Sequence, residues 1–276
     1  MYSGVMAGKR MSDRETEKRM LETAVSLVNE RGVSTALESI AFDEVIREAG
    51  VSRTSAYRRW PQRDLFYGEV LVELARGTAL PGPQGNLQTA LAQLVLDRAN
   101  NLGTARELHA LLVELLRVSI SADLDLVISS PQWRTYRILL ASYQGIVDPQ
   151  VRQAVTEALA GANQRVTDLR ARVYAQFTAL LGYRLRAPLS GPEGFEFMSQ
   201  AAGATMTGVL ARHSLGDTTV ESPRPMRAFG VDEVAEWAPG AYMVAATVLT
   251  YIEPDPGVQW DRQRIDDVVA AMRSFE

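Results

Sequence analysis

Between Val151 and Leu180 the apolar side chains stand at Val151, Val155, Leu159, Ala162, Val166, Leu169, Val173, Phe177 and Leu180, at steps of three or four residues. That spacing draws one apolar stripe along a single helix, which at ~1.5 Å per residue would be about 50 Å long. A helix of that length must lay its stripe on other elements, and the rest of the chain offers helical patterns to do so. It contains no convincing apolar–polar alternation and no Asn-Gly or Asp-Gly hairpin signal. The sequence therefore predicts an all-α protein. With 276 residues, 46% of them hydrophobic, there is material for one or two buried cores.

Helix boundaries are marked by caps. Ser12-Asp13-Arg14-Glu15 reads as a capping box, and behind it Met20, Ala24, Leu27 and Val28 share a face that ends at Gly32. Shorter helices are predicted over Phe42–Ala49, Arg53–Arg59 with Ser52 as cap, and Arg63–Arg76. The Gly- and Pro-rich run Gly77–Gly85 breaks the chain. It separates a tail (1–11) and an N-terminal helical domain (12–80) from a C-terminal helical domain (81–276). In the latter, Ser130-Pro131, Asp148-Pro149 and Gly191-Pro192 are predicted helix starts. A loop is expected over Gly216–Gly230, then a nearly all-apolar helix over Ala241–Ile252 and an amphipathic one over Asp261–Phe275.

The net charge is −4, which argues against a chain that coats nucleic acid indiscriminately. One stretch departs from that balance. Gly50–Arg63 carries Arg53, Arg58, Arg59 and Arg63 and no acid, and it lies where a short helix, a Gly-containing turn and a second short helix describe a helix-turn-helix. Val45, Ala49, Val51 and Ala56 are spaced to pack the two helices together. Arg53, Thr54, Ser55, Tyr57 and Arg58 would then open the helix that enters a major groove.

Gly50-Val51-Ser52 followed by Tyr57, Trp60, Arg63 and Leu65 resembles the TetR/AcrR family of one-component bacterial regulators, over roughly residues 12–76. The resemblance implies that Tyr57 and Arg63 clamp phosphates and that Arg53, Thr54, Ser55 and Arg58 contact bases or the groove, with Ser52 opening the helix. It also implies a homodimer on a palindromic double-stranded DNA operator, released by a small apolar or amphipathic effector. The C-terminal domain would bind the effector and dimerise. Trp60 and Arg63 stand where the family commonly has Phe and Lys. The connection between Gly32 and Val45 is about three or four residues longer than usual, Ala56 replaces a larger aliphatic, and Gln62 replaces a Ser or Asn cap.

The remaining candidates are plainer. His109, Trp133, Tyr136, Arg137, Tyr143 and Phe177 are candidates for lining an effector pocket, with ordinary core packing as the competing reading. The small residues Ala201–Thr205 and Gly208 suit a close helix–helix approach, between subunits or within one. The chain has no cysteine, and its two histidines, His109 and His213, are far apart, so no metal site is expected. No nucleophile–base pair or phosphate loop is present, so neither catalytic residues nor a cofactor are expected. Met1–Gly8 lacks a long apolar core and no stretch approaches the ~20 residues of a membrane span, which predicts a cytoplasmic protein without membrane contact. The alternative is a regulator without an inducer, or an architectural DNA-binding protein.

Overall fold

A computed structural model describes residues 12–31, 40–77, 85–98, 102, 104–259 and 261–274. Among them the chain forms α1 (Asp13–Arg31), α2 (Phe42–Glu48), α3 (Arg53–Arg59), α4 (Arg63–Arg76), α5 (Gly85–Arg98), α6 (Ala105–Ser129), α7 (Pro131–Ser142) and α8 (Pro149–Leu180). There follow β1 (Tyr183–Leu185), α9 (Gly191–Ser214), β2 (Arg224–Met226), β3 (Ala235–Trp237), α10 (Pro239–Tyr251), β4 (Ile252–Pro254) and α11 (Arg262–Ser274). The protein is all-α in class, with two antiparallel pairs of three-residue strands, β1–β4 and β2–β3.

The chain divides into two units: Met1–Ala79 with Ser130–Asn163, and Leu80–Ser129 with Gln164–Glu276. The expectation of a single cut near residue 80 misses the return of residues 130–163 to the N-terminal unit. The reason is packing. Tyr136 and Leu139 of α7 and Val155, Leu159 and Ala162 of α8 are buried in the same core as Met20, Ala24 and Val28 of α1, Val45 of α2 and Val70 of α4. Thr135 of α7 also donates to the Asn29 side chain of α1 at 2.8 Å.

In the second unit α10 packs on both α6 and α9, and α5 lies against α6 and α11. The nearly all-apolar α10 is thus buried within one chain, through Ala241, Val244, Ala245 and Val248. The amphipathic α11 buries Ile265, Val268 and Val269 and covers α5. Its Arg264 donates to the Leu180 carbonyl at the end of α8 and to the Ala179 carbonyl, which also accepts from Gly182 N–H.

Local expectations fare unevenly. The Ser12 hydroxyl accepts from Glu15 N–H, Ser130 from Trp133 N–H, and Asp148 from Gln150 and Val151 N–H. The expected start at Gly191-Pro192 is where α9 begins, flanked by Ser190, whose side chain makes no cap bond. The apolar stripe of α8 is buried at Val155, Leu159, Ala162 and Val166, but Leu169 is exposed. The expected 216–230 loop contains a turn of 3₁₀-helix (Thr218–Val220) and β2, and its partner strand β3 follows. Arg98 pairs with Glu233, Arg106 with Asp232, and Arg117 donates to the Glu236 carbonyl, so arginines of α5 and α6 tie this segment down. The tail 1–11, the enlarged turn after Gly32 and residues 78–84 of the Gly/Pro-rich break lie outside the described residues.

Candidate nucleic-acid interface

The turn between α2 and α3 is set by Gly50, whose φ of +63° is a left-handed conformation that glycine adopts without a Cβ penalty. Val51 N–H bonds back to Ile46 C=O and Gly50 N–H to Arg47 C=O, so the last carbonyls of α2 are satisfied as the chain reverses. Ser52 then caps α3: its hydroxyl oxygen accepts from Ser55 N–H at 3.1 Å and lies 2.9 Å from the Ser55 hydroxyl. Ser52 and Ser55 therefore start the helix as well as standing beside its outer face.

Ala56 is fully buried and anchors α3 to the core, while Arg53, Thr54, Tyr57 and Arg58 are exposed. Beneath them lies an aromatic cluster. Phe42, Trp60 and Phe66 are fully buried and meet edge to face, with centroids 5.0 to 6.4 Å apart. The Tyr57 ring leans edge-on against Phe42 at 5.2 Å and remains 38% exposed. Tyr67 of α4 donates to the Ile40 carbonyl at 2.6 Å, fixing the start of α2. The cluster gives the exposed side of α3 a stiff base. Gln62 makes no side-chain cap bond for α4, as its residue type predicts.

The four arginines of this stretch differ in surroundings. Arg59 is part-buried, donates to Glu17 and Glu69 and lies 4.9 Å from the Trp60 ring centroid. Burial works against its charge, but the two carboxylates outweigh burial and raise its pKa. It is a structural residue. Arg53 and Arg63 lie 3.5 and 3.7 Å from the two carboxylate oxygens of Asp43, and Arg58 pairs with Asp13. The Tyr57 hydroxyl, and to a lesser degree Asp43, hold the Arg63 guanidinium above its ordinary value. Arg53 and Arg63, the latter held also by the Tyr57 hydroxyl, are therefore gathered around one acid that a scan of Gly50–Arg63 misses, because it lies on another helix.

The six expected pocket residues are divided between the two units. Tyr136 is buried in the core of the first, with Trp133 and Tyr143 packed against that core. Burial, helped by Arg134, lowers the Arg137 pKa. His109 and Phe177 belong to the second unit. His109 Nε2 is 2.8 Å from the Phe229 carbonyl and Nδ1 is 3.2 Å from the Tyr183 hydroxyl. The carbonyl can only accept, so Nε2 donates to it, while the Tyr183 hydroxyl can donate to Nδ1 or accept from it. Another polar group in this unit had no signal in the sequence. It comprises Asp123 of α6 with Arg170 and Tyr174 of α8. Asp123 keeps solvent contact, yet the protein around it pushes its carboxyl up to about 6 against the opposing charge of Arg170. Burial pushes Tyr174 up to about 12.

Among the described residues no group of three or more His, Asp or Glu side chains gathers to hold a metal, and no helix is long and apolar enough to cross a membrane. No protein-family model matches the chain. It is 32% identical over 107 residues to proteins named uncharacterized HTH-type transcriptional regulators, from Mycobacterium bovis and from two strains of Mycobacterium tuberculosis. The match takes in 38% of this chain and spans about half (50%) the length of those relatives. It is similar, over that span, to helix-turn-helix transcriptional regulators.

Proposed function

We propose that the protein is a DNA-binding transcriptional regulator that inserts α3 into the major groove of double-stranded DNA. The observation that carries this reading is the outer face of α3 and the start of α4. There Arg53, Thr54, Tyr57, Arg58 and Arg63 are exposed above a rigid aromatic base. Groove-facing residues on a helix start and cations for phosphates are the two components such recognition requires. The name carried by the mycobacterial relatives supports the same class. In this reading Tyr57 and Arg63 hold phosphate oxygens, Arg53, Thr54 and Arg58 meet the groove, and Ser52 and Ser55 order the first turn.

The finer reading is a ligand-responsive TetR-type repressor acting as a homodimer on a palindromic operator. The exposed stripe of α9 supports dimerisation. Phe197 is 54% exposed, and Ala204 and Gly208 are exposed on the same helix, with open space where a Gly208 Cβ would stand. Ala202 and Gly203 instead serve packing within the chain: Ala202 is buried, and a Cβ on Gly203 would lie 2.8 Å from Arg170 Nη1. For the effector, the second unit offers polar contacts from Arg170 and Tyr174, both part-buried, beside the exposed Asp123. An effector would change DNA affinity only by its differential affinity for the two states of the protein.

The test is fluorescence-anisotropy binding to the intergenic DNA beside the protein's own gene, with excess competitor DNA. Tyr57→Ala and Arg63→Ala are expected to weaken binding across sequences, and Arg63→Ala to make the salt slope shallower by about 1 per subunit. Unchanged binding by both variants would refute the phosphate-clamp assignment.

A further inference from the structure

Asp43 is not needed to build α2. Residue 41 flanks that helix without a side-chain cap, and Glu44, beside Asp43 in the first turn, already supplies an acid there while bonding Arg31. Yet the Asp43 carboxylate lies between two cations of the proposed DNA face, Oδ1 3.5 Å from Arg53 Nη2 and Oδ2 3.7 Å from Arg63 Nη2. Both separations are long for charge-assisted hydrogen bonds. Oδ1 is buried from solvent and accepts no hydrogen bond among the described residues. Both arginine side chains remain well exposed, Arg53 at 75% and Arg63 at 57%. The carboxylate thus neutralises both without locking either.

An oxyanion placed between two arginines, one of which also meets the Tyr57 hydroxyl, has the chemistry of a phosphodiester oxygen. We propose that Asp43 is a built-in competitor for DNA phosphate, which occupies the Arg53–Arg63 site and weakens binding to DNA of arbitrary sequence. The inference rests on the proposed DNA-binding role. Non-specific binding is almost wholly electrostatic, whereas specific binding adds groove contacts from Thr54 and Arg58, which lie outside the Arg53–Asp43–Arg63 arrangement. A competitor at the phosphate site therefore lowers the first by a larger share than the second and widens the ratio between them. Asp13 differs in that it pairs directly, through a hydrogen bond, with Arg58 alone. The acids that temper the basic stretch come from α1 and α2.

The test uses the full chain and a fluorescent random-sequence duplex of about 30 base pairs, titrated between about 50 and 200 mM salt. Asp43→Asn is expected to bind this duplex roughly three- to tenfold more tightly at the low-salt end. The plot of log K against log salt should steepen by about 1 per subunit. Glu48→Gln is the control. It removes the same charge from α2, but Glu48 pairs with Arg47 and not with Arg53 or Arg63, so its gain should be under half as large. Asp43→Ser serves as the second variant and should move in the same direction as Asp43→Asn. Equal gains from Asp43→Asn and Glu48→Gln would reduce the effect to net charge and overturn the inference. So would unchanged or weaker binding by both Asp43 variants while the wild type binds. A wild type that binds no duplex at low salt would instead refute the DNA-binding role itself.

Discussion

Trp60 tests how the aromatic base under α3 is held. Its side chain is fully buried, it meets Phe66 at 5.0 Å and Phe42 at 6.4 Å, and its indole N–H is buried with no hydrogen-bond acceptor among the described residues. Trp60→Phe removes about 40 Å³ of side chain; at ~24 cal/mol per Å3 an uncollapsed cavity of that size costs about 1 kcal/mol, and the lost transfer energy of the removed ring atoms adds somewhat to it. The same change removes an unsatisfied donor, whose burial costs about 1–3 kcal/mol. The two effects oppose each other, so Trp60→Phe should lie within about 1 kcal/mol of wild type or be slightly more stable. Trp60→Ala loses the ring contacts as well and should cost about 3–5 kcal/mol.

Urea unfolding of the full chain, followed by far-ultraviolet circular dichroism, measures both variants. A Trp60→Phe protein destabilised by more than about 2 kcal/mol would refute the reasoning. The indole N–H would then be satisfied in solution, or the site too stiff to absorb the smaller ring. A Trp60→Ala protein close to wild type would refute the anchoring role itself. Tyr57 leans on Phe42, so DNA binding by a folded Trp60→Ala protein should fall with the loss of this base.

Two further perturbations probe each unit separately. Gly68 is buried in α4, and an added Cβ would lie 2.9 Å from Val151 Cγ2, a β-branched side chain with little freedom to move. Gly68→Ala should therefore destabilise by about 1 kcal/mol net, overpacking outweighing the gain in helix propensity. Thermal melts of a double-mutant cycle with Val151→Ala should show the two changes compensating; simple additivity would exclude the clash. In the second unit the folded-state pKa of Asp123 is raised, by burial first, from 3.8 to about 6. The folded protein thus binds its proton more tightly than the unfolded chain does, and stability is lost as pH rises from about 4 through 6. Asp123→Asn should relieve that penalty, with solvent contact holding the gain to about 1 kcal/mol or less at pH 7.5 and to much less at pH 5. Urea melts at both pH values check this, and an equal effect at the two would sink it.

What could be read in the sequence was what neighbouring residues determine. The bounds of α3 and α4, Arg53–Arg59 and Arg63–Arg76, follow from Ser52 and from helical periodicity, and the structure reproduces both. The strands escaped because three residues are too few to show alternation, and their partners lie far along the chain, Tyr183 opposite Pro254. The stripe on α8 was legible as a helix, but periodicity does not name the surface that covers each position. Leu169 is therefore on the stripe and exposed, while Leu159 is on it and buried. The return of residues 130–163 to the first core is likewise a long-range choice, made by side chains such as Leu139 and Leu159 that share a core with Met20 and Val28 far back in the chain.

The same limit governs charge. In the sequence Arg53, Arg58, Arg59 and Arg63 are four equivalent cations in a stretch without acids. In space Arg59 is withdrawn into the fold by Glu17 and Glu69, and the other three face outward, each beside a carboxylate from α1 or α2. The charge available to a phosphate is set by how readily those carboxylates give way. Exposed pairs hold weakly, each worth about 1 kcal/mol or less. A polyanion that supplies several phosphates at once outcompetes them, whereas scattered anions do not. A chain with net charge −4 can therefore still carry one locally cationic face, whose strength is set by those carboxylates and not by the overall balance.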